Sequence, residues 1–120
     1  MLIRYKRTYE KIAMGLLSFV PSEKDLKNLM QTIKNYEEDD NWQLFLWKEV
    51  DIIGIIGVKL NEDTAELKHI SVNPSHRQQG VGRRMVNALQ EMIGSKYRII
   101  PSEQTKEFYE KCLKPITDEQ

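Results

Sequence analysis

The sequence predicts an α/β fold: a single domain, residues 1–120, with a mixed, mostly antiparallel central sheet flanked by helices. Three observations lead there. Four stretches repeat apolar residues at helical spacing, so each presents one apolar stripe. Between residues 42 and 72 three apolar, strand-like runs follow one another across short turns, the pattern of an antiparallel meander. The third run then passes through a glycine-rich loop into a helix and another strand, a crossover that makes those two strands parallel and the connection right-handed.

The elements follow in order. LIRY (2–5) is a short strand. Tyr9, Ile12, Ala13, Leu16 and Leu17 form the stripe of a first helix, which Pro21 ends. Ser22 suits the cap of a second helix, with Asp25 three residues on in a capping-box arrangement. Its stripe is Leu26, Leu29, Met30, Ile33 and Tyr36, and EEDD with Asn41 closes it. WQLFLWKE (42–49) is apolar on both faces, as a strand covered on both sides is. Val50 and Asp51 reverse the chain into IIGIIGVKL (52–60), and NEDT leads into AELKHISV (65–72). A helix follows over residues 82–93, with Met85, Val86, Leu89, Met92 and Ile93 inward and Gly94 as its stop. YRII (97–100) is a strand broken by Pro101, and Ser102 opens a last helix containing Phe108, Tyr109, Cys112 and Leu113. The predicted order is β-α-α-β-β-β-α-β-α.

Composition narrows the function. Hydrophobic residues make up 40% and charged residues 30%, the balance of an ordinary globular protein. Basic and acidic residues number 18 each, so the basic excess of a dedicated nucleic-acid binder is missing, and no nucleic-acid partner is expected. A lone cysteine, Cys112, cannot form an internal disulfide and fits a reducing compartment. The N-terminal stretch scatters its charges and shows no export signal, and the longest apolar run, IIGIIGV, falls short of the roughly 20 residues of a membrane span. A cytoplasmic protein without a membrane partner is the expectation. No His, Cys or Asp cluster has metal spacing, so no metal is expected.

The chemistry concentrates in HISVNPSHRQQGVGRRM (69–85). The first N–H groups of a helix have no partner within it, and the helix dipole adds partial positive charge there. A phosphate at that end is stabilised by both. Gly80 and Gly82 allow close approach, and Arg77, Arg83 and Arg84 offer charge-assisted bonds, so the stretch suits a diphosphate. The dinucleotide pattern G-x-G-x-x-G fails because Met85 stands at its third glycine. The nucleoside-triphosphate loop fails because no Gly-Lys-Ser/Thr follows.

Arg77-Gln78-Gln79-Gly80-Val81-Gly82 matches the Q/R-x-x-G-x-G/A motif, between the strand ending Ile70-Ser71-Val72-Asn73-Pro74 and an apolar helix. In motif, flanks and element order from residue 2 to about 113, the chain resembles the GCN5-related N-acetyltransferase (GNAT) family. Its compact length and the stretches KIAMGLLSF, LFLWKE and HISVNPSHR further resemble the small acetyltransferase-like members encoded with riboflavin-synthesis genes in bacilli. The resemblance implies acetyl-CoA as co-substrate and a primary amine, on a small molecule or a protein lysine, as acceptor. It implies that the backbone of Ile70, Ser71 and Val72 pairs with the pantetheine arm. The loop from Arg77 through Gln78, Gln79, Gly80, Val81 and Gly82 would then hold the pyrophosphate, with Arg83 nearby. The thioester would enter a splayed gap between this strand and YRII.

The same resemblance nominates Tyr109, in EFYEK (107–111), as the acid that protonates the leaving thiolate, and Glu66, eleven residues before Arg77, as the base. His69 is the next candidate base, His76 a turn residue, and Cys112 a small apolar filler. One departure matters. Members usually continue past the tyrosine helix with Gly-Phe and two strands that shape the amine pocket. Here Tyr109 is followed by EKCLKPITDEQ, so a C-terminally truncated fold is expected, with at most one further short strand. The acceptor pocket is then open, absent, or completed by a second subunit in a homodimer. An acyl-CoA-binding regulatory module that has lost its chemistry is the alternative in another class, and an adenine-nucleotide binder is a third.

Overall fold

A computed structural model describes residues 1–113. The elements are β1 (Leu2–Arg4), α1 (Glu10–Leu17), α2 (Leu26–Glu38), β2 (Trp42–Lys48), β3 (Ile52–Leu60), β4 (Thr64–Val72), α3 (Val81–Ile93), β5 (Arg98–Pro101) and α4 (Lys106–Leu113). The predicted order is the observed one. Strands lie in the order β1-β2-β3-β4-β5, antiparallel except for the parallel pair β4–β5 across the α3 crossover.

Helices cover both faces of the sheet, which explains why β2 reads as apolar throughout. Leu44 and Leu46 pack with Ala13, Leu16, Leu17, Ile33 and Tyr36 on the α1/α2 side. Phe45 and Trp47 pack on the other side with Val81, Met85, Leu89 and Cys112 of α3 and α4. Each fully buried Leu, Ile or Met contributes roughly 1.5–3 kcal/mol, so the two apolar layers hold the helices in place.

Several local expectations are corrected. Asp25, not Ser22, caps α2, its carboxylate accepting from the Lys27 N–H at 3.1 Å. Ser22 lies instead in a 3₁₀ turn, Pro21–Glu23. Leu26 and Met30 point outward, because the buried stripe of α2 is the narrower set Leu29, Thr32, Ile33 and Tyr36. Met92 is also exposed, and Val50 stands almost fully in solvent at the β2–β3 reversal. β5 begins at Arg98 and includes Pro101 as its last residue rather than breaking at it, and Pro101 pairs with Leu67. Ser102 opens a turn before α4, its hydroxyl accepting from the Thr105 N–H. The expectation of a truncated end, with at most one further short strand, falls outside the described residues.

β4 carries an irregularity that no periodicity revealed. Gly57 of β3 faces His69, yet Val58 faces Leu67, so Lys68 is an extra residue on β4. Such a bulge bends its strand and inverts the side-chain alternation beyond it. Ala65 and Leu67 pack on the α3/α4 side before the bulge, Ile70 and Val72 after it. Alternation therefore turns His69 and Ser71 toward the α1/α2 side. The bulge also marks the end of the parallel pairing: β5 accompanies β4 only from Thr64 to Leu67.

Below the bulge a polar cluster is buried. His69 Nδ1 lies 2.6 Å from the Tyr36 hydroxyl and Nε2 lies 3.1 Å from Glu23 Oε2. The Thr32 hydroxyl donates to Glu23 Oε1 at 2.7 Å, and the Ser22 hydroxyl to Oε2 at 3.2 Å. With the ring proton on Nε2, Tyr36 donates to Nδ1 and His69 donates to the carboxylate, so each of these groups has a partner. Gly57 makes this possible, since a Cβ there would overlap the Tyr36 phenol. Burial raises the Glu23 pKa, but the hydrogen bonds from His69 and Thr32 outweigh it, and the net shift is below the ordinary 4.5. Burial, then the Glu23 charge, push the Tyr36 phenol well above its ordinary value.

A depressed carboxylate pKa contributes stability that is present above the unfolded value and lost as pH falls through the folded one. Wild-type stability should therefore fall below about pH 4.5. Glu23→Ala should lower stability near neutrality by about 2–4 kcal/mol, leaving Thr32 and His69 unpaired, and should flatten the acid limb. Urea unfolding at pH 3.5, 5 and 7 checks both.

Candidate active site

The loop between β4 and α3 is built in two steps. Asn73 caps a 3₁₀ turn, Pro74–His76, its side chain accepting from the Ser75 N–H at 3.0 Å. The chain then takes two left-handed residues, Gln78 at φ 64° and Gly80 at φ 79°. Glycine adopts that conformation without strain, whereas Gln78 is held there against its intrinsic preference. Gly80 is the N-cap of α3 and provides no side-chain cap. The N–H groups of the first turn, at Val81, Gly82 and Arg83, are thus left for a ligand, at the positive end of a 13-residue helix.

A cleft of about 430 Å³ opens on these groups, lined by Val72, Arg77, Gly80, Gly82, Arg83 and Phe108 among others. Uncapped amides, left-handed turns and an arginine at the rim fit a diphosphate. Not every predicted residue shares this cleft. Gln79 lies outside its lining, its carbonyl accepting from Arg84 Nη1 at 3.1 Å. Arg84 also donates to Glu49 at 2.9 Å, so it ties the loop to the β2–β3 reversal. Arg83 reaches toward the Lys111 carbonyl at 3.5 Å and borders the cleft. Gly82 is covered by the Phe108 ring of α4.

Beside the loop lies the predicted gap. The Asn73 N–H donates to the Ile53 carbonyl of β3 at 2.8 Å. Since successive residues of a strand turn their backbone groups to opposite sides, Ile70 and Val72 direct theirs away from β3, where β5 has already departed. A second cleft, of about 280 Å³, follows this open edge. Its walls include Ile70, Ser71 and Val72, Phe19, Val20 and Pro21 from the α1–α2 connection, and Thr105 and Phe108 from the α4 end. Arg77 borders both clefts. Its Nε donates to the Val72 carbonyl at 3.1 Å, and its guanidinium lies 5.7 Å from the Phe19 ring centre.

The candidate catalytic residues are placed less uniformly. Glu66 lies on β4 before the bulge, half-buried and 3.3 Å from Lys68 Nζ. His69 is buried in the cluster with Glu23 and Tyr36. Tyr109 donates to the Ile99 carbonyl of β5 at 3.4 Å, and burial, with Cys112 beside it, raises its pKa. Its neighbour Phe108, not Tyr109, lines the clefts. His76 borders the first cleft and pairs with the Ser75 hydroxyl at 2.9 Å. Cys112 is buried, and that burial pushes its thiol up to about 11, as suits a filler. Sequence reasoning missed Phe19, Glu23 and Tyr36. Tyr36 carried only the signal of an apolar stripe, and Glu23 carried none. Among the described residues no group of three or more His, Cys, Asp and Glu is placed to hold a metal, and no helix is long and apolar enough to cross a membrane.

Comparison with known proteins agrees with this geometry. The acetyltransferase (GNAT) domain family matches residues 27–112. An uncharacterized N-acetyltransferase in the lysA 3' region of Bacillus methanolicus is 61% identical over 114 residues, spanning 93% of this chain and 94% of the relative. An aminoglycoside 6'-N-acetyltransferase complexed with coenzyme A superposes with a TM-score of 0.74 at 16% identity, over 94% of this chain and 83% of the other. A ribosomal-protein-alanine N-acetyltransferase from Brucella melitensis biovar Abortus 2308 gives 0.74 at 11% identity, over 98% and 94%. With its family match covering most of the chain, its sheet parting between β4 and β5 and its uncapped glycine loop, this protein belongs to the GNAT acetyltransferase family.

Proposed function

We propose that the protein is an acetyl-CoA-dependent N-acetyltransferase acting on a primary amine. One observation carries the reading: the uncapped start of α3 and the open edge of β4 meet at Arg77, so a diphosphate and an extended arm attached to it have adjoining places. Acetyl-CoA supplies an activated acyl thioester. The residues of this chain do the rest. Amides of Val81, Gly82 and Arg83 take the diphosphate, with the loop from Arg77 through Gly80 around them. Ile70 and Val72 offer backbone groups to the arm, with Ser71 between them. Arg77 leaves the Val72 carbonyl when the arm takes it. The neighbouring coenzyme A complex supports the choice of carrier.

In the transfer, the amine nitrogen forms a bond to the acetyl carbon, the carbon–sulfur bond breaks, the amine loses a proton and the thiolate gains one. An alkyl amine is less than about 0.1% neutral at pH 7, so a base helps substantially. We assign it to Glu66, which is reachable from solvent and shares the α1/α2 side of β4 with His69. His69 is the competitor, favoured by its support from Glu23. Tyr109 is assigned as the acid on the strength of its phenol at β5. That phenol rests on Ile99 outside the clefts, which favours a second reading: an acyl-CoA-binding module without turnover. Cytoplasmic location, a homodimer that completes the acceptor site and a link to riboflavin metabolism extend the reading, the last resting only on likeness to the RibT proteins.

Gly80→Asp and Gly80→Ala should both lower Tm, since either side chain strains the left-handed backbone there. Only the aspartate places a carboxylate among the amides, so it should raise the Kd for CoA at least tenfold above that of the alanine variant; equal Kd values in calorimetry overturn the phosphate assignment. If Glu66 is the base, Glu66→Gln should lower kcat by about 10²–10⁴ with CoA affinity intact, whereas His69→Gln should chiefly lower Tm. The reverse pattern assigns the base to His69. Tyr109→Phe should lower kcat and leave CoA binding alone. No turnover by the wild type across a broad amine panel, despite CoA binding, establishes the module instead.

A further inference from the structure

One row of side chains crosses the sheet on the α1/α2 side before the bulge. Trp42 faces Lys59 across β2 and β3, Lys59 faces Glu66 across β3 and β4, and Glu66 faces Ile100 of β5. Residues paired across neighbouring strands share a face, so the four stand side by side. Each is half-buried. Tyr36, from the last turn of α2, lies over Gly57 one step nearer the bulge, and its ring packs edge-to-face on Trp42 with 5.2 Å between centres. The helical layer stops at Tyr36, and the row beyond it is open to solvent. Here β5 is still paired with β4, so the row stands apart from the open edge assigned to the carrier's arm.

Two ammonium groups converge on the indole. Lys59 Nζ lies 5.9 Å from the Trp42 ring centre, and Lys68 Nζ, from the bulge itself, lies 5.8 Å from it. Glu66 Oε1, 3.3 Å from Lys68 Nζ, balances one of them. Lys59 has no carboxylate within ion-pair distance among the described residues. Glu62 and Asp63 stand exposed in the β3–β4 turn, and Arg98 of β5, two residues before Ile100, adds a third cation. Asp39 and Asp40 belong to a third cleft, which Trp42 also borders and where Arg4, Lys6 and Arg7 accompany them. Like charges gathered on a half-buried face repel, and an anion placed between them relieves that repulsion.

Resting on the acetyltransferase reading with Glu66 as its base, we propose that this row is the acceptor subsite and that it selects a small primary amine carrying its own anionic group, a carboxylate or a phosphate. The acceptor's ammonium donates to Glu66 in place of Lys68, and the displaced Lys68 joins Lys59 on the anion, over the indole. Lys59 and Glu66 are opposite residues, a pairing that sets Cβ atoms about 4.5–5.5 Å apart, so nitrogen and anion are separated by a few bonds only. An amine without the anion displaces Lys68 and leaves it no partner, and a polycation adds charge beside two lysines. The position also serves the reaction. The sheet parts at the bulge, two residues and roughly 7 Å along β4 from Glu66, where the thioester is to arrive.

Calorimetric titration into CoA-loaded protein tests the subsite, because the carrier then fills the glycine loop and an added anion is read elsewhere. 4-Aminobutanoate and 2-aminoethyl phosphate, which separate carboxylate from phosphate, are compared with butylamine, ethanolamine and spermidine. At least one of the first two should bind about tenfold more tightly than every anion-free amine, the scale of one charge-assisted hydrogen bond. Lys59→Gln should shrink that preference toward unity and Lys59→Glu should invert it, with Tm and CoA affinity unchanged. The anionic amine should also shift the indole emission, and Trp42→Phe should abolish that shift. Equal or tighter binding of an anion-free amine, binding of none of the five, or a preference that survives Lys59→Glu overturns the proposal. Thiol release from acetyl-CoA with anion-free amines alone also overturns it and keeps the transferase reading. Binding of an anionic amine with no thiol release keeps the subsite and removes that reading.

Discussion

The molecule is organised by the parting of two strands. β4 and β5 run together for four residue pairs and then separate at Leu67–Pro101, beside the extra residue Lys68. A fully paired sheet would spend the backbone groups of Ile70 and Val72 on a neighbouring strand. Parted, it leaves them without a strand partner and opens a cleft through the sheet. The closure beside the bulge is itself polar: the Thr105 hydroxyl and the Ser102 N–H both donate to the Leu67 carbonyl, at 2.9 and 3.2 Å. That anchors the start of α4 where β5 turns away.

Two layers meet at this gap with different duties. The α3/α4 side carries the glycine loop and the apolar floor beneath it, from Val81 to Leu89. On the α1/α2 side lie the Pro21–Glu23 turn and the buried Glu23–His69–Tyr36 cluster, which fixes that turn against the sheet. A charged group in an apolar interior is costly unless its partners are complete. Here the Glu23 oxygens receive three hydrogen bonds, so the turn is held in one position. Phe19 and Pro21, which wall the second cleft, inherit that position.

Much of this was legible beforehand, for identifiable reasons. The meander, the crossover and the glycine loop are local patterns, each declared by a run of a few residues. Boundaries shifted where a side chain chose between partners, as when Asp25 rather than Ser22 capped α2. Leu26 and Met30 were misjudged because spacing reveals a face and not the width of what covers it. The bulge was invisible, since one inserted residue in a strand apolar on both sides leaves no mark in its periodicity. Invisible too was the hydrogen bond of His69 to Glu23, which joins positions 46 residues apart. Sequence patterns disclosed the glycine loop that borders the first cleft, whereas the groups that hold the loop's surroundings are long-range.

A strand left without a neighbour also has a cost of another kind. Bare edges invite the same edge of a second molecule, and association of that sort propagates into aggregates. This protein keeps its bare length short, from the bulge to Val72, and follows it at once with Pro74, which has no N–H to lend to a growing ladder. Arg77 adds a charged cover over the last open carbonyl. The opening between β4 and β5 is thereby guarded against a stranger's strand by the same few atoms that border the cleft.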